Sequence, residues 1–291
     1  MKKDWEKIFL GYLQAAKSEA KDDTRDAAHD IGHFCRVSNM ARQIALLESA
    51  PADSDIILAA AYFHDLVCLP KNHPESKFSS RFSAVKANDI LLSMDFPKTK
   101  IAHVCHAIEA HSFSAGIPPN TIEAKIIQDA DRMEALGALG IMRTFYVSGR
   151  MGSSPYHPTD RLAKSRPLDD KAFALDHFAC KLFKLPDLLQ TNGGRQVASR
   201  RAEFLRIFVL ELVADLEKGA DGGALHIVSA CYEAGVKNGA FFDFEDVFAE
   251  RRPLNPDTFV IDRLIECRDR FPGFIPQFLR QAKEEIISIR A

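Results

Sequence analysis

The residues that could do chemistry in this 291-residue chain gather in a few short stretches. The first is Leu58-Ala59-Ala60-Ala61-Tyr62-Phe63-His64-Asp65-Leu66-Val67, an almost wholly apolar run interrupted by an adjacent His and Asp. Polar groups at the buried end of an apolar helix must be satisfied there. A His–Asp hydrogen bond inside a core would do this. So would a divalent ion, for which a neutral imidazole and a carboxylate are ordinary ligands. Further donors for such an ion occur upstream, at His29 and His33, and downstream, at Asp129 and Asp131.

Helices are expected to carry all of these residues. Apolar spacing predicts helices over 4–20, from near Asp30 to Leu47, over 54–67, 79–94, 98–111, 121–148 and 195–218, with a further helix from 171. The helix over 54–67, with Asp53 or Ser54 as its N-cap, would deliver His64 and Asp65 near its C-terminal end. His29 and His33 would share a face if their helix reached back that far. Asp129 and Asp131 are two apart, about 200° around a helix, so only one can face an ion squarely. Arg36 lies three residues beyond His33; its planar fork could grip a phosphate or pair with a core carboxylate. Lys71 and His73 fall in a proline-bounded loop just after the His-Asp pair, where they could meet a substrate or simply face solvent. His103, His106 and His111 lie on the helix over 98–111. Gly137 and Gly140 weaken the helix over 121–148 and suggest close approach of another helix. Residues 148–170 read as a long irregular segment, a lid or disordered. Asn192-Gly193-Gly194 reads as a break or a bend, and Lys218-Gly219-Ala220-Asp221-Gly222-Gly223 as a linker.

One His, an adjacent His-Asp and a distant Asp, each on its own expected helix, resemble the HD-domain superfamily of metal-dependent phosphohydrolases. Tyr62 to Val67, Ala110 to Ala115, Gln128 to Gly137 and Arg166 to Lys171 are similar to one bacterial subgroup of that superfamily, and the similarity covers roughly residues 1–215. The resemblance implies an all-α fold, an HD-domain helical bundle, here with a C-terminal helical appendage. It implies His33, His64, Asp65 and Asp131 as metal ligands. It gives His106 and His111 either a second ion or a phosphate to bind. Residues 1–218 are then the catalytic domain and 219–291 an accessory helical segment.

Two imidazoles and two carboxylates leave open positions on a six-coordinate ion. That suits Mn²⁺, Fe²⁺, Co²⁺, Ni²⁺ or Mg²⁺, with zinc also compatible. Such an ion acidifies water and polarises a phosphoryl oxygen. The expected catalytic residues are Asp65, Lys71 and Asp129. Arg36, Lys71, His106 and His111 are expected to bind substrate, with Asp129 or Glu134 orienting other groups. The expected reaction is hydrolysis of a nucleotide or another small phosphate ester, the diphosphate linkage of a nucleoside triphosphate included. Two alternatives stand beside it: a dinuclear, di-iron enzyme of oxygenase type, and a nucleotide-binding regulator without turnover.

The totals narrow the field. Hydrophobic residues make up 46%, ordinary for a globular protein. Lys plus Arg number 38 against 40 Asp plus Glu, a net charge of −2, which argues against a protein that coats extended nucleic acid. The six cysteines stand singly with no CxxC, so reduced thiols in a cytoplasmic protein are expected. No run approaches the roughly 20 apolar residues of a membrane helix. P-loop, GxGxxG and Ser-His-Asp patterns are absent from the sequence. The expected partner is a small phosphorylated molecule, and a homo-oligomer is compatible.

Overall fold

The computed structural model describes residues 3–19, 31–69, 73–218, 241–242 and 253–254. It divides into two compact units, Met1–His157 with Ser165–Ala202, and Pro158–Lys164 with Glu203–Ala291. The first unit holds every described residue discussed below as part of the site.

Nine α-helices occur among the described residues: α1 Trp5–Glu19, α2 Ile31–Leu47, α3 Ser54–Phe63, α4 Ser79–Ser93, α5 Lys98–His111, α6 Ile122–Arg132, α7 Gly137–Arg150, α8 Asp176–Cys180 and α9 Asn192–Lys218. A two-residue antiparallel pair, Phe241–Phe242 against Pro253–Leu254, lies in the second unit. The rest of the expected C-terminal appendage, including a terminal helix over 276–290, lies outside the described residues.

α3 is the central helix, in contact with α1, α2, α4, α5 and α6. Its sequence explains this. Ile56 through Phe63 are all buried, so the helix has no wet face and must be surrounded. Asp53 caps its start, accepting from the amides of Asp55 at 2.9 Å and Ile56 at 3.3 Å. α3 ends at Phe63, earlier than expected, and His64 and Asp65 occupy the turn that follows. That turn is tied down from α4. The Ser83 hydroxyl bonds both the amide and the carbonyl of Val67, and Ser79 accepts from the Leu69 amide. On the other side, Trp5 and Phe9 of α1 pack against Phe96, Tyr62 and Phe63.

The expected single helix over 121–148 is instead two. α6 stops at Arg132, a 3₁₀ turn spans Met133–Ala135, and α7 begins at Gly137. Gly137 has φ +73°, a left-handed conformation that favours glycine. A Cβ on Gly140 would collide with the Ala135 carbonyl oxygen. The two glycines thus fold α7 back against the turn that leaves α6. The Arg201 guanidinium from α9 donates to the Met133 carbonyl at 2.9 Å and secures the same turn.

Asn192-Gly193-Gly194 forms the first turn of α9, which starts three residues before the expected 195. Side chains at the two glycines would strike Leu47, Ile44, Asp129 and Thr191, so glycine is what allows the close approach. The segment from Ser153 to Leu175 is mostly irregular but bonded. Ser154 donates its amide to Ala172 and accepts from the Ala174 amide, both at 2.9 Å. Arg166 forks onto the buried carboxylate of Asp176. The helix expected from 171 is reduced to the short α8, followed by 3₁₀ turns at Leu182–Lys184 and Pro186–Leu188.

Candidate metal centre

Five side chains from four helices meet at one end of α3. His33 comes from α2, His64 and Asp65 from the turn after α3, His111 from the last position of α5, and Asp131 from the last turn of α6. The two histidines of the expected ligand set are fully buried, and Asp65 and Asp131 are partly exposed.

The partners on the far side of each imidazole fix its tautomer. His64 Nδ1 lies 2.9 Å from the Ala61 carbonyl, which can only accept, so Nδ1 carries the hydrogen. His33 Nδ1 faces the Glu134 carboxylate at 3.4 Å, with the same result. Both Nε2 lone pairs therefore point inward, and the two Nε2 atoms lie 3.0 Å apart. Lone pairs so close repel unless a proton or a cation lies between them. Burial works against the proton, pushing the His64 pKa down to about 4 despite the nearby Asp65 charge. A cation resolves the contact.

The carboxylates complete the set. Asp65 Oδ2 is 4.0 Å from His33 Nε2 and 3.5 Å from His64 Nε2, and Asp131 Oδ1 is 3.7 Å and 3.8 Å from the same atoms. Bonds of about 2.1 Å to one octahedral ion place adjacent donors about 3.0 Å apart and opposite donors about 4.2 Å apart. These separations fall inside that interval, and the donor atoms form two close groups that share His64: His33, His64 and Asp131, and His64, Asp65 and His111. The donor set, with nitrogen and oxygen and no sulfur, fits a catalytic divalent ion rather than a closed structural zinc.

Around the donors runs a layer of charge. Glu134, on the 3₁₀ turn after α6, receives Arg36 in a forked contact, Nε at 3.0 Å and Nη2 at 2.9 Å. Burial would raise the Glu134 pKa, but the His33 and Arg36 contacts outweigh it and lower it to about 2. Arg143 of α7 approaches the same carboxylate at 3.7 Å. His111 Nδ1 donates to the Ile108 carbonyl at 2.6 Å, and its Nε2 lies 3.3 Å from Asp65 Oδ1. Burial disfavours charge there, but the Asp65 and Asp131 carboxylates prevail and raise the His111 pKa to about 9. Gln128 reaches from α6 to the Ala110 carbonyl at 2.7 Å and fixes the end of α5 beside the cluster.

Other expected site residues are elsewhere. Asp129 points away from the cluster. Its buried carboxylate accepts from the amides of Gln190 and Thr191, at 2.9 Å and 2.8 Å, and from the Thr191 hydroxyl at 2.6 Å. This corrects its expected catalytic role: two residues from Asp131 on a helix, it faces the opposite way and holds the entry to α9. His106 accepts the Asn120 amide at 3.0 Å and braces the loop before α6, so it is not brought to the cluster for a second ion or a phosphate. His103 is exposed. His73 is exposed and accepts from the Glu75 amide. Lys71 and His29 lie outside the described residues. Arg143 was not anticipated; nothing marks it in the sequence until the glycine turn places α7 over Glu134.

A helical bundle that gathers one His, an adjacent His-Asp and a distant Asp at one end of its central helix has the arrangement of an HD domain. The HD domain family profile matches residues 30–136. The chain is 32% identical over 194 residues to the uncharacterised protein YpgQ of Bacillus subtilis, a match covering 65% of this chain and 85% of YpgQ. The crystal structure of YpgQ in complex with ADP aligns at 29% identity and a TM-score of 0.53, over 75% of this chain and 96% of that one. An HD-superfamily hydrolase from Bacillus thuringiensis aligns at 28% identity and a TM-score of 0.57, over 74% and 98%. The chain belongs to the HD-domain superfamily, and its fold is that of an HD-superfamily hydrolase. No helix among the described residues is long and apolar enough to cross a membrane.

Proposed function

We propose that this protein is a divalent-metal-dependent phosphohydrolase acting on a nucleotide or another small phosphate ester, with the diphosphate linkage of a nucleoside triphosphate as the first bond to test. The observation that carries the reading is the 3.0 Å approach of two Nε2 atoms on imidazoles whose Nδ1 atoms face acceptors on the outer side, with two carboxylates nearby. His33, His64, Asp65 and Asp131 would hold the ion. When bound, it supplies Lewis-acid polarisation of a phosphoryl oxygen and acidifies water.

The protein's own groups do the rest. His33 and His64 keep their Nε2 lone pairs inward, each ring held by the partner of its Nδ1. Glu134 holds His33 in that orientation, as carboxylates commonly do behind ligating histidines. Arg36 presents a guanidinium at the rim, suited to the equatorial oxygens of a phosphoryl group. His111 keeps a proton on Nε2 against Asp65. The ADP complex of YpgQ supports a nucleotide as ligand. All these residues lie in 1–218, and we assign 219–291 an accessory role.

The test is a Mn²⁺-supplemented phosphate-release screen over nucleotides and phosphate esters, run with and without added pyrophosphatase. Release that needs pyrophosphatase marks cleavage that liberates diphosphate, direct release from a monophosphate marks a phosphomonoesterase, and direct release from a di- or triphosphate marks cleavage of the terminal anhydride. No metal-dependent release from any of them refutes the reading.

A further inference from the structure

We infer that Arg143 is a phosphate-binding residue of this site, paired with Arg36 to hold a second phosphate of a nucleoside di- or triphosphate beside the one at the metal centre. The inference rests on the proposed function and adds a residue and a substrate preference to it.

Arg143 is brought to the site by backbone geometry that the sequence obtains at some cost. Gly137 with φ +73° and Gly140 against the Ala135 carbonyl fold α7 back over the turn that carries Glu134. Arg143 then approaches Glu134 from α7 while Arg36 approaches it from α2. Glu134 also touches His33, so two guanidinium groups sit one carboxylate away from a metal-binding histidine.

Balancing Glu134 does not account for both arginines. Arg36 already engages that carboxylate in a fork at 2.9–3.0 Å. Arg143 stands off at 3.7 Å, beyond hydrogen-bond distance, and this is its one ion pair among the described residues. Two guanidinium groups from different helices therefore meet at the Glu134 carboxylate, and Arg143 stands beyond hydrogen-bond reach of it. Both side chains are half-exposed, 44% for Arg36 and 32% for Arg143, so a ligand in solution can reach them. Guanidinium forks match phosphate oxygens in pairs, and two of them converging from different helices form a clamp for one dianionic group. With one phosphate at the cluster, that group is the neighbouring phosphate of the same chain. The clamp distinguishes a polyphosphate from a monophosphate.

Calorimetric titration of the full-length, Mn²⁺-loaded protein with ADP and with AMP tests this. The proteins compared are the wild type, Arg143→Ala, Arg143→Lys and the exposed control Arg150→Ala. Arg143→Ala is expected to weaken ADP about tenfold or more, with AMP changed by less than about threefold and metal content unaltered. Arg143→Lys keeps the charge but loses the fork and should recover only part of the affinity. Arg150→Ala should bind as the wild type does. Equal ADP affinity in wild type and Arg143→Ala overturns the inference and leaves the proposed function standing. Equal losses for ADP and AMP, or a loss of bound Mn²⁺, overturn it by making Arg143 a general or structural charge. If the wild type binds neither nucleotide in Mn²⁺, the nucleotide reading fails and this inference fails with it.

Discussion

Replacing Asp129 by alanine separates two roles that look alike in the sequence. Its carboxylate is fully buried and accepts three donors, the amides of Gln190 and Thr191 and the Thr191 hydroxyl. Thr191 in turn accepts the Arg195 amide through its carbonyl and so starts α9. In Asp129→Ala these three donors lose their acceptor, the two on Thr191 in a buried setting. Each such group costs about 1–3 kcal/mol. Burial raises the Asp129 pKa even against the Thr191 and Gln190 hydrogen bonds, so removal also relieves some dehydration of the carboxylate. The net loss should lie near the lower end, about 3 kcal/mol. That is a large part of the roughly 5–15 kcal/mol that stabilises a typical domain. It corresponds to a fall in melting temperature of roughly 6–12 °C. The assay is urea or thermal denaturation, with Mn²⁺ content measured at a temperature where the variant is folded. A destabilised protein that still binds Mn²⁺ is expected. A loss below about 1 kcal/mol together with an emptied metal site would refute the reasoning, because Asp129 would then be a ligand and not a brace.

Glu134→Gln should weaken Mn²⁺ binding roughly 10- to 100-fold, the range typical of groups that orient a ligating histidine, and isothermal titration with Mn²⁺ would show it. The metal-free protein should also lose a pH-dependent contribution in that variant. The Glu134 pKa is depressed to about 2 on folding, so its stabilisation is present above the unfolded value near 4.5 and disappears as pH falls through 2. Denaturation midpoints between pH 5 and pH 2 should therefore fall less steeply in Glu134→Gln than in the wild type. Arg166→Ala strands the buried Asp176 carboxylate, which also accepts the Asp169 amide at 2.7 Å. A loss of about 3–5 kcal/mol is expected on denaturation, against near-neutrality if the pair were merely a surface contact.

The parts of the site that were legible in the sequence are those written in local patterns. The apolar run of α3 announces its burial, with His64-Asp65 in the turn directly after it, and the bounds of α1, α2, α4 and α5 follow from apolar spacing within a residue or two. What spacing cannot show is which distant group a side chain meets. Asp129 and Asp131 differ only by a rotation about α6, and the partner that decides between them, Thr191, is 62 residues away from Asp129. The glycines at 137 and 140 were visible, but they read as a packing surface. Their effect is to end one helix and start another, since one adopts positive φ and the other presses on a backbone carbonyl. A helical period runs through such a turn with little change, so two helices read as one and Arg143 stayed out of view. Residues 148–170 read as a lid or a disordered segment, although 153–175 are bonded. Their order comes from Arg166, Asp176 and a single backbone bridge, not from a repeating pattern.

The measurement that bears most directly on the central claim is metal content by elemental analysis after equilibration with Mn²⁺ and removal of free ion, for the wild type beside Asp131→Ala and His64→Ala. About one ion per chain in the wild type, with both variants folded and empty, is the result the geometry predicts. A wild type without metal, or variants that retain it in full, would mean that the four converging side chains are a polar core and hold no ion.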